Sequence, residues 1–182
     1  MTGTSDKELL SMFRENETRS HAFNLIVRKY QERIYWHIRK IVISHDDADD
    51  VIQNTFIKVW TGLDGFREDS QLFTWLYRIA TNESLTFLKK KKTKMLVQID
   101  DVEQQLGRTL ESDPHINGDE IQIRLQKAIL TLPDKQRLVF NMKYFDEMKY
   151  EDMSAILGTS VGALKASFHH AVKKIEKFME GD

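Results

Sequence analysis

Cysteine is absent from this 182-residue chain. Its absence excludes disulfides, a thiol nucleophile and cysteine-ligated zinc, and it suits a reducing compartment. Proline occurs twice and glycine eight times. Turn-rich all-β folds use more of both, so helices are expected. Long apolar runs are missing as well. No stretch approaches the roughly 20 residues that span a bilayer, and the first ten residues lack the apolar centre of a secretory signal, which points to the cytoplasm. An excess of either charge is also lacking: 27 Lys and Arg against 28 Asp and Glu leave a formal net charge of −1. Whole-chain charge therefore argues neither for nor against nucleic acid, and local clusters must decide.

The 41% of hydrophobic and 30% of charged residues suffice for one large or two small folded domains. Charge is sorted along the chain. Residues 1–94 carry three more basic than acidic side chains, residues 95–123 six more acidic than basic, and residues 124–182 two more basic than acidic. Two mildly basic blocks thus flank an acidic strip.

Apolar periodicity divides the blocks into helices. Phe23, Ile26, Val27, Tyr30, Ile34, Ile38 and Ile41 recur at spacings of three and four, predicting a helix over 21–42. Ser44 can cap the next helix, with Asp46 and Asp47 in its first turn, where the helix dipole favours anions. That helix runs to about residue 60 and turns Ala48, Val51, Ile52, Thr55, Phe56 and Val59 inward. Gly62 and Gly65 mark a loop over 61–69, and Ser70 can cap a third helix over 71–92. Between 93 and 118 the pattern dissolves among acids, Pro114 and Gly118, as in a linker. Ile121, Leu125, Ala128, Ile129 and Leu132 form a new stripe that Pro133 ends. Asp134 can cap a helix carrying Leu138, Val139, Met142 and Phe145. Helices over 150–157 and 160–179 follow, with Gly158 where a helix C-cap favours glycine. The expected fold is all-α, in two small helical domains. An N-terminal segment 1–20 precedes a domain over 21–92, an acidic linker over 93–120 and a second domain over 121–182 that contains a helix-turn-helix.

Three constellations carry chemistry. The first is the C-terminal helix pair joined by Gly158, Thr159 and Ser160, the pattern of a helix-turn-helix. Val161, Leu164, Phe168, Ala171, Val172 and Ile175 line one face of its second helix. The other face carries Gly162, Ala163, Ala166 and His169 with Lys165, His170 and Lys173: small residues that admit a DNA backbone, and donors for phosphates or base edges. A plain hairpin with solvated Lys and His shows the same periodicity. The second constellation interleaves Trp60, Phe66, Phe73, Trp75, Tyr77 and Phe87 with Arg67, Arg78 and Lys89 to Lys92. Rings and cations in alternation suit single-stranded nucleic acid, although at least half of these rings are expected in the core. The third is the polar face of the 46–60 helix, Asp49, Asp50, Gln53, Asn54 and Lys58, in which an exposed Ile57 suggests a protein contact.

Catalytic and metal chemistry find no support. Asp46, Asp47, Asp49 and Asp50 radiate around a helix, without the loop and glycine of a calcium site. Neighbours such as His169 and His170 point about 100° apart on a helix. No glycine-rich phosphate loop and no nucleophile–base pairing is present. No cofactor, no small-molecule substrate and no enzymatic activity are expected.

Four strings stand in a telling order: Asp47-Ala-Asp-Asp-Val-Ile-Gln-Asn-Thr-Phe56; Phe66-Arg67 leading to Phe73-Thr-Trp-Leu-Tyr-Arg-Ile-Ala-Thr-Asn82; Leu132-Pro-Asp-Lys-Gln-Arg137; and Leu157-Gly-Thr-Ser-Val-Gly-Ala-Leu-Lys165. Together they resemble the extracytoplasmic-function group of bacterial sigma factors, which keep only regions 2 and 4. The resemblance spans the chain apart from its first twenty residues and the linker. It implies an alternative sigma factor that binds RNA polymerase core at the β′ clamp coiled coil and the β flap, recognises −35 and −10 promoter elements and promotes opening at −10. Residues 47–60 would be region 2.2, the polymerase contact. Residues 66–92 would be regions 2.3 and 2.4, with Phe66 and Asn82 at the base-binding surface and Arg67, Ser70, Trp75, Arg78, Lys89 and Lys90 contributing to −10 DNA. Residues 160–173 would be the −35 recognition helix of region 4.2, presenting Ser160, Gly162, Ala163, Lys165, Ala166, His169 and Lys173. An anti-sigma factor is an implied partner. Lys165-Ala166-Ser167 departs from the Lys/Arg-Ser-Arg triplet of many members, and His170 stands where Arg is frequent. The rival readings are an ordinary helix-turn-helix regulator, which leaves 60–92 without a task, and a helical protein-binding scaffold.

Overall fold

The computed structural model describes residues 3–94 and 120–181. Its first helix, α1 (Asp6–Arg14), opens with a reciprocal cap. The Ser5 hydroxyl accepts from the Glu8 amide, and the Glu8 carboxylate accepts from the Ser5 amide. Leu9, Leu10 and Phe13 form its buried face. The sequence reading assigns no element before residue 21, although the Ser-x-x-Glu spacing announces this helix.

Three longer helices complete the N-terminal bundle: α2 (Arg19–Val42), α3 (His45–Gly62) and α4 (Leu72–Lys94). Ile26, Ile34 and Ile38 of α2 meet Val51 and Val59 of α3 and Leu76 and Ala80 of α4 in a common buried core. Ser44 caps α3 as expected, its hydroxyl accepting from the Asp47 amide. Ser70 does not cap α4. Its hydroxyl donates to the Gln71 carbonyl at 3.4 Å, and the helix begins one residue later than expected, at Leu72. Between α3 and α4 the chain makes a 3-10 turn, Leu63–Gly65. A Cβ at Gly62 would lie 3.3 Å from the Trp75 ring, so glycine there lets the end of α3 rest on that ring.

The C-terminal half comprises α5 (Glu120–Leu130), α6 (Asp134–Tyr144), α7 (Tyr150–Leu157) and α8 (Val161–Glu180). Ala128, Ile129, Leu132, Phe140, Ala171 and Ile175 form a cluster among α5, α6 and α8. Ile121 leaves the expected stripe. It is 67% exposed and lines an open groove beside Phe178. Pro133, not Asp134, occupies the cap position of α6, and Asp134 stands in its first turn. Thr93 and Lys94 still belong to α4 and Glu120 opens α5, while the rest of the expected linker, residues 95–119, lies outside the described residues.

The halves are joined by more than the linker. Leu138, Val139 and Met142 of α6, and Met153 and Ile156 of α7, share one continuous core with α2 and α4. Polar groups cross the same seam. The Lys40 ammonium meets one Asp146 carboxylate oxygen. The other oxygen is buried, lacks a hydrogen-bond partner and lies 3.6 Å from His37 Nδ1. His37 Nε2 stands 2.7 Å from the Thr81 hydroxyl, which donates to the Tyr77 carbonyl at 2.7 Å. Burial holds His37 below its ordinary value, opposed only in part by Asp146. Burial pushes Asp146 up, but His37 and Lys40 outweigh it and leave the carboxyl below its ordinary range.

Both groups have depressed folded values, so both contribute stability that is lost as pH falls. The His37 contribution is complete above its ordinary value of 6.5 and declines below it. Asp146 adds its loss only below about 3.8. Thermal unfolding between pH 8 and pH 5 should therefore show a midpoint that drops on the acid side, and His37→Gln should flatten that drop. Parallel profiles for the two proteins would contradict the assignment.

Candidate polymerase and promoter interfaces

The outer face of α3 is the first surface. Ala48, Val51, Thr55 and Val59 turn inward, which leaves Asp50, Gln53, Asn54 and Ile57, spaced three, one and three residues apart, on one exposed face. Ile57 is 62% exposed, an apolar side chain in a polar field. The two other expected members are engaged within the chain. Asp49 lies 3.4 Å from His45, one turn earlier, and Lys58 pairs with Glu83 of α4.

The second surface is the 63–69 loop with the stripe Trp75, Arg78, Asn82 and Lys89 along α4. Asn82, Lys89 and Lys90 are exposed. Trp75 is half-buried, its ring centre 5.1 Å from that of Phe66. Arg78 is occupied: its guanidinium donates twice, at 3.1 and 2.6 Å, to the Ala155 carbonyl in the last turn of α7. There it satisfies an acceptor that the helix end leaves open. Of the lysine run, Lys91 pairs with Asp47 and Lys92 with Asp134, while Lys89 and Lys90 point outward without such a tie among the described residues.

The third surface is built by α7, its turn and α8. Gly158 takes the left-handed backbone, φ 65°, that closes α7. The Ser160 hydroxyl then accepts from the Ala163 amide at 3.2 Å and starts α8. Leu164, Ala171 and Ile175 anchor α8 from within. Gly162, Ala163, Lys165, Ala166, His169 and Lys173 are all exposed on its other side. The Lys165 ammonium reaches over the Tyr150 ring at 5.8 Å.

These surfaces coincide with two family descriptions. Residues 26–94 match Sigma-70 region 2 and residues 122–175 match Sigma-70 region 4. The RNA polymerase sigma-H factor of Pseudomonas aeruginosa is 30% identical over 99% of this chain and 96% of its own length. The ECF RNA polymerase sigma factor SigW of Bacillus subtilis is 32% identical over 86% of this chain and 88% of its own. The chain belongs to the extracytoplasmic-function family of RNA polymerase sigma factors. Solved structures agree on the fold. CnrH, determined in complex with the cytosolic domain of CnrY, superposes with a TM-score of 0.70 at 22% identity, covering 97% of this chain and 98% of CnrH. RpoE of Bartonella quintana, determined with the anti-sigma factor NepR, gives 0.68 at 22% identity, covering 88% of this chain and 98% of RpoE. The protein is thus an alternative sigma factor, which recognises promoters for RNA polymerase core.

One expected residue of this sigma factor needs correction. Phe66 is 6% exposed and faces Trp75 inside the loop, so its ring is no open platform for a base. The half-buried Trp75 covers the ring. Phe66→Ala should therefore destabilise the fold by about 3–5 kcal/mol, the usual cost of emptying a buried aromatic site. Asn82→Ala, on an exposed helical face, should change stability by no more than about 0.5 kcal/mol. Denaturant unfolding of the two variants beside the parent measures both, and a Phe66→Ala protein as stable as the parent would return the ring to the base-binding surface.

Proposed function

We propose that Asp50, Gln53, Asn54 and Ile57 dock this sigma factor on polymerase core. Arg67, Trp75, Asn82, Lys89 and Lys90 hold melted −10 DNA, and the exposed face of α8 reads the −35 duplex. What supports this division is that one chain exposes two surfaces of different make, each carrying basic side chains. The α8 face, with Gly162, Ala163 and Ala166 beside Lys165 and His169, suits a major groove. The loop and α4 stripe, with an exposed Arg67 and the amide of Asn82, suit unpaired bases. An ordinary regulator has no need of the second surface.

The seam adds a requirement. Elements 25 base pairs apart, as −35 and −10 are by name, lie about 85 Å apart at roughly 3.4 Å per pair. A compact chain of this length has a radius of gyration of only about 16 Å. The two halves must therefore separate for α8 and α4 to reach both elements together. Arg78 is released from Ala155 in that step and joins the −10 stripe. The chain makes no bond itself: it delivers polymerase to the promoter and captures opened bases, and it does so in the cytoplasm. An anti-sigma factor acting on the same faces is part of this proposal, as the solved complexes of CnrH and RpoE suggest.

Two experiments test the assignment. The double variant Asp50→Arg, Gln53→Ala should keep its helical content and lose affinity for polymerase core, because both residues lie off the buried face of α3. Unchanged core affinity in the folded variant would remove α3 from the docking surface. On the DNA side, Lys165→Ala or His169→Ala should each cost roughly 1–3 kcal/mol of −35 duplex binding if the side chain reads a base edge. Binding should instead fall about equally on all sequences if it meets phosphate alone. Lys165→Glu that binds −35 duplex as tightly as the parent would overturn the register of α8 on DNA.

A further inference from the structure

Residues 1–20 have no part in the function derived above, and the match to region 2 begins only at residue 26. The structure nevertheless ties the end of this segment to loop 63–69. Two arginines, one at the end of α1 and one at the start of α2, reach two of the three acids of that loop. The Arg14 guanidinium lies 2.6 Å from the Glu68 carboxylate. Arg19 spans Asp64 with two nitrogens, one on each carboxylate oxygen. Its guanidinium carbon also sits 4.2 Å from the centre of the Phe13 ring and 5.1 Å from that of Trp60. Packing against two rings orders this side chain, so its fork meets Asp64 already aimed.

Opposite these clamps the loop is anchored from within. Leu63 and Phe66 are buried, and Phe66 lies against Trp75 of α4. Between anchors and clamps the backbone at Glu68 takes φ 58°, a left-handed conformation that residues with a Cβ seldom adopt unless their surroundings impose it. What the loop then presents outward is Arg67, whose side chain is 84% exposed and lies 3.3 Å from the carboxylate of Asp69.

The geometry points to Arg14 and Arg19 as positioning residues that hold loop 63–69 in the shape presenting Arg67 to melted −10 bases, so that the N-terminal twenty residues help to choose the −10 sequence. This rests on the reading that the loop meets −10 DNA. The exposed Arg14–Glu68 pair adds little to overall stability, so Arg14 acts on the loop rather than on the fold. A reading group displaced by about 1 Å loses discrimination before it loses binding.

The test uses holoenzyme assembled from polymerase core and the full chain. Promoters recovered by selection with the parent holoenzyme are randomised across the −10 element, transcribed and sequenced, which gives a base preference at each position. Arg14→Ala and Arg19→Ala should each lower the strongest loop-dependent preference by about three- to tenfold, the size of one ordinary hydrogen bond. Binding to −35 duplex and to core should stay at the parent's level. Arg14→Lys should restore the preference, since one nitrogen contacts Glu68. Arg19→Lys should not, since a single ammonium cannot span both oxygens of Asp64. A merely structural role would not produce that split. Arg67→Ala is the reference for the loop itself. If Arg67→Ala alters the preference and neither alanine variant does, the brace is overturned while the loop keeps its role. If Arg67→Ala also leaves the preference unchanged, the loop does not read DNA and the brace falls with it. Should Arg19→Ala fail to fold, Arg14→Ala decides, because its side chain is 57% exposed and lies outside the core.

Discussion

The rest of the structure depends on one helix that is required on three sides. α4 packs on α2 and α3 within the N-terminal bundle and on α7 across the seam. Leu72, Leu76, Tyr77 and Ala80 supply its apolar contacts. Thr81 and Ser84 are buried too, which would be costly if their hydroxyls were left unpaired. Both donate back to the carbonyl one turn earlier, at 2.7 Å. A helix so surrounded has little surface left, and the stripe Trp75, Arg78, Asn82 and Lys89 is part of that remainder. Position, not composition, turns this stripe into a candidate for binding opened DNA.

The same crowding redistributes the charges. A basic run in a sequence invites assignment to phosphate, yet carboxylates of the same chain engage Lys91 and Lys92, and a helix-end carbonyl engages Arg78. Pairs of this kind at a partly wet surface are worth little individually. They can be exchanged for phosphate contacts at small cost, which suits the proposed parting of the halves on a promoter. The firmer part of the seam is apolar, through Met142, Met153 and Ile156, together with the buried His37–Asp146 contact. Its opening is expected to need the binding energy of polymerase.

The N-terminal bundle shows how a loop gains definition without secondary structure. Leu63 and Phe66 fasten it below, and Arg14 and Arg19 fasten it from the side. Glycine at 62 lets Trp75 close over the joint. Each device is weak or local, but they act on seven residues. A short loop held at several points can keep a side chain such as Arg67 where a rigid scaffold would keep it.

Much of this protein was legible in its residues alone. Seven of the eight helices among the described residues follow from apolar spacing, because burial of one helical face imposes that spacing whatever the neighbours are. Gly158 and the Ser44 cap were legible too, since helix ends have fixed chemical needs. α1 was legible in principle through Ser5 and Glu8. The open faces of α3 and α8 were deduced as the complement of their apolar faces. Phe66 was not, because a ring in a glycine-flanked loop has no period to reveal which way it turns. Nor were the engagements of Arg78 with Ala155, of His37 and Lys40 with Asp146, and of Arg14 with Glu68. These partners are separated by 54 to 109 residues, or 77 for Arg78, and no local pattern encodes them. Periodicity and capping are properties of a segment and its solvent, so the sequence by itself determined them. Which polar groups face one another depends on how finished helices pack, and only the tertiary structure decided that.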